Sequence, residues 1–314
     1  MAIPLVNLAL YTNGTMAEKK QFVQDLGKAY EEVGFVAVKN HGIPDDLIAD
    51  LYIYVEQYFA LPNQVKDTHE NPELAGQRGY TSFGREHAKG SEQPDLKEFY
   101  QYGQTVAPND PLKVEYPDNI VPKELPIFTD TLARAYTHFE TSGAHLLHAI
   151  ADYLQLPTNY FDAHITKGNS ILRTIHYPPI LTEPKTAIRA EQHEDINLIT
   201  LLVGASADGL EVLDRANNWT PATALPEHIV VNVGDMLQRL TNNKLRSTTH
   251  RVVNPPKSLW HTHRYSIPFF LHPKSAMSLA CLPSCISPQN PQAYHNITAG
   301  EYLDERLREI GLKK

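Results

Sequence analysis

Cysteine is scarce in this chain of 314 residues, with Cys281 and Cys285 the two present. So small a number cannot staple a secreted disulfide scaffold, and it offers too few ligands for a structural zinc site. Two unpaired thiols in a reducing compartment are expected, and with them a cytoplasmic protein. Long apolar runs are missing too. No stretch approaches the ~20 apolar residues that cross a bilayer. The opening residues 1–11 carry no positive n-region and no small-residue cleavage site, so neither a membrane span nor a signal peptide is expected. Positive charge is in deficit: 28 Lys and Arg against 36 Asp and Glu leave a net charge of −8. That balance argues against nucleic acid or an anionic membrane as a partner. There is no internal repeat, low-complexity tract or charged tail.

What remains is ordinary globular composition, 42% hydrophobic and 20% charged, in a chain long enough to bury roughly three quarters of its unfolded surface. Residues 3–8 read as a short strand. Phe22, Val23, Leu26, Ala29, Tyr30 and Val33 recur at helical spacing. Thr15, with Glu18 three residues on, has the form of a capping box, and Gly34 stops that helix. Residues 35–38 read as a buried strand, His41-Gly42-Ile43-Pro44 as a turn, and Asp45 and Asp46 as the start of a second helix running to about Phe59.

Residues 60–120 lack periodicity and are rich in Pro, Gly, Asn and charge. They are expected to form a long, partly ordered connection, a kind often given to function. A long helix fits about 124–154, with Leu132, Ala135, Tyr136, Phe139, Leu146, Leu147 and Ile150 along one broad face. From Ser170 the pattern changes to short β-rich runs at 171–177, 196–203, 210–213, 229–233, 248–253 and 264–271, separated by turns. Such spacing suggests a sandwich or jelly roll. Residues 298–310 read as a closing helix, with Gly311 its stop. The expected fold is mixed α+β, with a helix-rich segment of residues 1–160 packed on a β-core and terminal helix of residues 161–314.

The chemistry concentrates in Gln192-His193-Glu194-Asp195 and, far downstream, Thr249-His250-Arg251-Val252. Alternation along a strand would point His193 and Asp195 to one side. A histidine from another strand would complete two imidazoles and one carboxylate on one face of an octahedral metal, leaving positions open. That donor set suits iron(II), which must also bind a cosubstrate and oxygen. His-x-Asp alone is common. Its context is not: Gly234-Asp235 follows the apolar run 229–233, then come Leu240-Thr241-Asn242, Ser247, His250-Arg251-Val252 and Arg264-Tyr265-Ser266.

Together with Ile3-Pro4-Leu5-Val6-Asn7-Leu8 and the segment from Gly34-Phe35-Val36 to His41-Gly42-Ile43-Pro44, these elements resemble, in order and over nearly the whole chain, the isopenicillin N synthase-like branch of the iron(II)/2-oxoglutarate dioxygenases. The resemblance implies a double-stranded β-helix, a jelly-roll barrel with the metal at its open end. It implies iron(II) held by His193, Asp195 and His250, with no catalytic side chain beyond the metal site. It implies 2-oxoglutarate held by Arg264 and Ser266 through its distal carboxylate, with Tyr177 donating to the same cosubstrate. A planar guanidinium pairs bidentately with a carboxylate and a hydroxyl adds one donor. Where plant members often carry Asn two residues before that tyrosine, this chain has Ile175.

The reaction implied is oxidation of a C–H bond of a small organic substrate by O2, with release of succinate and CO2. Hydroxylation comes first, with desaturation or ring closure open. Arg78, Tyr80, Phe83 and Phe99 lie in segments similar to those near the family's active-site mouth, and either contact substrate or close the helical layer over the barrel. Arg173 shares the face of Tyr177 and either meets a substrate carboxylate or bonds a neighbouring loop. His176 points the other way and is expected to pack or hydrogen-bond, and His261 and His263 to be solvated. A 2-oxoglutarate-independent oxidase of the same fold, a zinc hydrolase and a non-enzymatic jelly-roll binding module remain as alternatives at this point.

Overall fold

The computed structural model describes residues 3–87, 93–184, 186–204, 208–222, 225 and 227–309. Its helices, in chain order, are α1 (Leu8–Thr12), α2 (Met16–Glu32), α3 (Asp45–Phe59), α4 (Asn63–Lys66), α5 (Pro126–Tyr153), α6 (Asp162–Ile165), α7 (Asp235–Leu240) and α8 (Ala299–Glu309). The α2 start is the expected capping box: Thr15 accepts from the Glu18 amide, while the Glu18 carboxylate accepts from the Thr15 amide. Gly34 ends α2 at φ +78°, and a Cβ there would stand 2.5 Å from the Arg246 carbonyl oxygen, so the turn into the next strand requires glycine. Among the described helices, none is long and apolar enough to cross a membrane.

The strands are β1 (Leu5–Asn7), β2 (Phe35–Lys39), β3 (Gly79–Thr81), β4 (Glu98–Gly103), β5 (Ile171–Tyr177), β6 (Ala190–His193), β7 (Ile199–Val203), β8 (Leu210–Leu213), β9 (Trp219–Pro221), β10 (Ile229–Val233), β11 (His250–Val252) and β12 (Arg264–Leu271). Eight of them form one sheet in the order β1-β2-β10-β7-β12-β5-β4-β3, and β6-β11-β8-β9 form the other. Every pairing is antiparallel except β1 with β2.

Period-two alternation decides what each face of the large sheet does. Ile199, Leu201 and Val203 on β7, Val231 and Val233 on β10, and Ile267, Phe269 and Leu271 on β12 join the main core with α2, α3 and α5. Thr200, Leu202, Asn232, Arg264, Ser266 and Phe270 turn the other way and line a cavity that the small sheet also faces. Two small apolar clusters, one around Phe99, Ile175, Tyr177 and Val252 and one around Phe35, Val212 and Val230, join the sheets on that side. This is the double-stranded β-helix with a helical layer outside. Burying ~1.5–3 kcal/mol worth of apolar side chain at each core position keeps the large sheet rigid beneath the cavity.

Several expectations need correction. Residues 60–120 are not merely a connection: β3 and β4 add to the edge of the large sheet beside β5. β4 escaped the pattern because Glu98 and Gln101 are buried in it, paired with Lys66, His176 and the Gly76 carbonyl. β7 begins at Ile199, not at residue 196, because the chain bends at residues 196–198. β6, β9 and the short helices α1, α4, α6 and α7 were not foreseen. Gly311 lies outside the described residues. Cys281 and Cys285 are both buried and free.

Candidate active site

His193 ends β6 and His250 begins β11, and the two stand opposite each other in the ladder between those strands. Their rings are 4.4 Å apart between centroids. Asp195 Oδ1 lies 3.9 Å from His193 Nε2 and 3.8 Å from His250 Nε2. Asp195 is not on a strand, so alternation is not what aims it. The chain leaves β6 at His193, and the turn of residues 194–198 brings the carboxylate round. One ligand atom from each of the three residues falls within 4.8 Å of the others.

Each side chain is held for metal binding by its other end. His193 Nδ1 donates to the Glu191 carbonyl at 2.7 Å and His250 Nδ1 to the Thr248 carbonyl at 3.1 Å. A carbonyl only accepts, so each Nδ1 carries the proton and each Nε2 keeps its lone pair toward Asp195. Asp195 Oδ2 accepts from Thr200 Oγ1 at 2.5 Å and from Asn232 Nδ2 at 2.8 Å, leaving Oδ1 for the imidazoles. Burial opposes ionisation of Asp195, but His250, His193 and these two donors hold its pKa below the ordinary aspartate value. Burial and the neighbouring His250 push His193 down to about 4, so its imidazole is neutral at physiological pH. Two imidazoles and one carboxylate so placed fit a divalent iron.

On the facing sheet Arg264 pairs in register with Tyr177 and Ser266 with Ile175. The Arg264 guanidinium lies 4.9 Å from the Tyr177 ring centre. All four line the cavity that holds the three metal-site residues. A buried guanidinium with a hydroxyl two residues on fits a carboxylate.

A third group of charges, unforeseen apart from Arg173, lines the same cavity. Arg173 Nη1 donates to both Glu86 oxygens at 3.1 and 3.2 Å, and its Nε donates to Gln101 Oε1 at 3.0 Å. Lys97 lies 2.7 Å from both Glu86 and Asp95. Burial alone would raise the Glu86 pKa, yet Arg173 and Lys97 bring it down to about 2. Arg173 therefore bonds a neighbouring loop while also lining the cavity. Its guanidinium carbon also sits 4.1 Å from the Phe99 ring centre and 5.3 Å from that of Phe270.

Four proposed contacts lie outside the cavity lining. Arg78 is buried against Gly103, where an added Cβ would stand 1.9 Å from its guanidinium carbon. Tyr80 donates to Glu98 beneath the aromatic cluster of Tyr58 and Tyr100. Phe83 is half exposed, and Phe99 backs Arg173 from between the sheets. His176 bonds Glu98 at 2.7 Å on the outer face, as alternation implied. His263 is not simply solvated, since its Nδ1 lies 2.7 Å from His176 Nε2. Glu194 accepts from Thr249 at 3.0 Å instead of facing Asp195, and burial raises its pKa to about 7. Thr200 and Asn232 belong to the site although no motif marks them. The signal was present, each being the one polar residue in an apolar strand, ITLLV and IVVNV.

Residues 168–273 match the model of the 2OG-Fe(II) oxygenase superfamily, and residues 3–124 that of the non-haem dioxygenase in morphine synthesis N-terminal region. The chain is 34% identical to a proline hydroxylase from Petromyces alliaceus over 98% of this chain and 99% of that one. Among solved structures, a 2OG-Fe(II) oxygenase family protein from Caulobacter crescentus superposes with a TM-score of 0.89 at 41% identity, covering 98% and 99% of the two chains. A full-length Neurospora crassa protein in complex with alpha-KG and thymine superposes at 0.86 with 30% identity, covering 98% and 96%.

Proposed function

The chain belongs to the 2OG-Fe(II) oxygenase superfamily and is an iron(II)- and 2-oxoglutarate-dependent dioxygenase, and on that premise we propose a division of labour in its cavity. His193, Asp195 and His250 hold the iron. Arg264 and Ser266 hold the distal carboxylate of 2-oxoglutarate, and Tyr177 donates to the same cosubstrate. Arg173, backed by Glu86 and Gln101, meets the substrate, a small polar molecule of about the size of an amino acid or a nucleobase. Iron(II) with 2-oxoglutarate and O2 supplies an oxidant able to take hydrogen from a C–H bond, the cosubstrate leaving as succinate and CO2.

The protein's part is binding and placement. The fixed Nδ1–H tautomers of His193 and His250 present lone pairs without any rearrangement. Thr200 and Asn232 stop Asp195 from rotating. Cosubstrate is anchored from the large sheet while the histidines come from the small one, so the space between the sheets sets where a substrate carbon can sit. A misplacement of ~1 Å there alters rate or outcome. Hydroxylation is the reaction this arrangement serves most directly.

The polar substrate follows from the Arg173–Glu86–Lys97–Asp95 group. Its charges pair with one another, yet they line the cavity and would be better matched by a substrate with polar groups of its own than by an apolar one. The likeness to a proline hydroxylase and to a protein crystallised with thymine supports small, nitrogen-containing ring compounds as the first to try. The observation that carries the assignment is the placing of Asp195 Oδ1 between two Nε2 atoms in the cavity that Arg264 and Ser266 line. Succinate release, screened over cyclic amino acids and nucleobases, tests it. Stimulation by one class over the basal rate is expected. Equal stimulation by apolar terpenoid-like compounds would contradict it.

A further inference from the structure

Arg189 immediately precedes β6, four residues before His193. It is 1% exposed, among the most deeply buried large side chains of the protein. Among the described residues its one hydrogen bond is a long one, from Nη2 to the Thr262 carbonyl at 3.4 Å, and its Nε meets no partner there. Among the described residues no carboxylate pairs with it. Its guanidinium carbon instead lies 5.9 Å from the ring centre of Tyr177, the same ring that carries Arg264 at 4.9 Å. Two buried guanidiniums thus share one aromatic ring.

Taking an ion out of water without a counter-charge is costly, and a like charge beside it adds to the cost. Burial and Arg264 together bring the Arg189 pKa down to about 10, which still leaves it charged at neutral pH. Such an arrangement suits an anion arriving between the sheets. We propose that Arg189 is a positioning residue for the cosubstrate, a second buried cation whose field adds to that of Arg264 and makes the pocket selective for 2-oxo acids bearing a distal carboxylate. The inference rests on the cosubstrate assignment above. Arg189 itself stands behind the cavity lining, so it acts through space and through Tyr177.

The test is an anaerobic titration of the iron(II)-loaded full chain, read by the visible charge-transfer band of the bound 2-oxo acid. Two acids are compared: 2-oxoglutarate and 2-oxopentanoate, which has the same carbon count and no distal carboxylate. For Arg189→Met the dissociation constant of 2-oxoglutarate is expected to rise about tenfold, the effect of one through-space charge at moderate distance. That of 2-oxopentanoate should stay unchanged, and Arg189→Lys should hold 2-oxoglutarate within about threefold of the original value.

The metal-free Arg189→Met chain should also melt no lower than the parent, because an unpaired buried charge has been replaced by an apolar chain. Equal losses for both acids, no loss for either, or an Arg189→Met chain that does not fold would each overturn the inference, the first and last by making Arg189 structural. A parent chain that forms no band with 2-oxoglutarate would instead remove the cosubstrate assignment, and this inference with it.

Discussion

Asn232 Nδ2 donates to Asp195 Oδ2 at 2.8 Å, from the centre of the large sheet to a turn that leaves the small one. With Thr200 on the same oxygen, it fixes which edge of the carboxylate faces His193 and His250. Partners of this kind commonly govern metal affinity about 10–100-fold. For Asn232→Leu, a similar loss of iron(II) affinity is expected, measured by anaerobic competition with a chelator. Thr200→Val should do the same more weakly. Unchanged affinity in both would mean that Asp195 needs no help to hold its orientation.

Arg264→Lys should weaken 2-oxoglutarate more than its retained charge suggests. A lysine cannot reproduce the planar fork, and truncating a buried charge-pair partner costs about 2–5 kcal/mol. The KM for 2-oxoglutarate should rise roughly tenfold in Arg264→Lys and a hundredfold or more in Arg264→Met, while iron(II) affinity stays constant. A parallel fall in iron affinity would show that the substitution disturbed the sheet instead.

Arg173→Leu should separate substrate from cosubstrate. The charge-transfer band with iron and 2-oxoglutarate should form normally, while substrate-stimulated succinate release falls at least tenfold. The same change leaves Glu86 short of a partner in a buried setting, so a stability loss of about 3 kcal/mol is expected by thermal unfolding. Stimulated turnover equal to the parent's would remove Arg173 from the substrate site.

Acid should destabilise the metal-free protein in two stages. Burial lowers His272, like His193, to about 4, whereas both titrate near 6.5 once unfolded. Between those values the unfolded chain binds protons that the folded one does not, so stability falls as pH drops from about 6.5 to 4. Glu86, depressed to about 2, adds a second loss as pH falls from its ordinary range near 4.5 toward 2. Melting temperatures should fall from about pH 6.5 down to 2.5, less steeply over the upper stage because Glu194, raised to about 7, gains stability as it protonates there, and His272→Gln should flatten that stage. A flat profile between pH 6.5 and 4.5 would contradict these assignments.

The sequence made the site's ends legible and its middle obscure. β5, β10 and β12 were readable because apolar side chains fill their helix-facing sides. The cap at Thr15 and the stop at Gly34 were readable because both are local devices. His193, Asp195, His250, Arg264 and Ser266 were picked out by motif order. β4 and the Glu86–Lys97–Arg173 group were not, because a buried polar residue looks like surface until its partner is known. Glu86 and Arg173 stand 87 positions apart. The turn that aims Asp195 reads as strand in the sequence because His-x-Asp mimics alternation, and only the hydrogen bonds from Thr200 and Asn232 show what directs it. Family membership, not any single residue, sets aside the zinc-hydrolase and binding-module alternatives.

The most direct measurement is anaerobic reconstitution of the purified chain with iron(II) and 2-oxoglutarate, followed by its visible charge-transfer band, beside His193→Ala and Arg264→Met. The account predicts a band that requires both additions, is lost in His193→Ala, and needs far more 2-oxoglutarate in Arg264→Met. A band that survives in His193→Ala, or one that saturates equally in Arg264→Met, would contradict the placing of iron and cosubstrate between these two sheets.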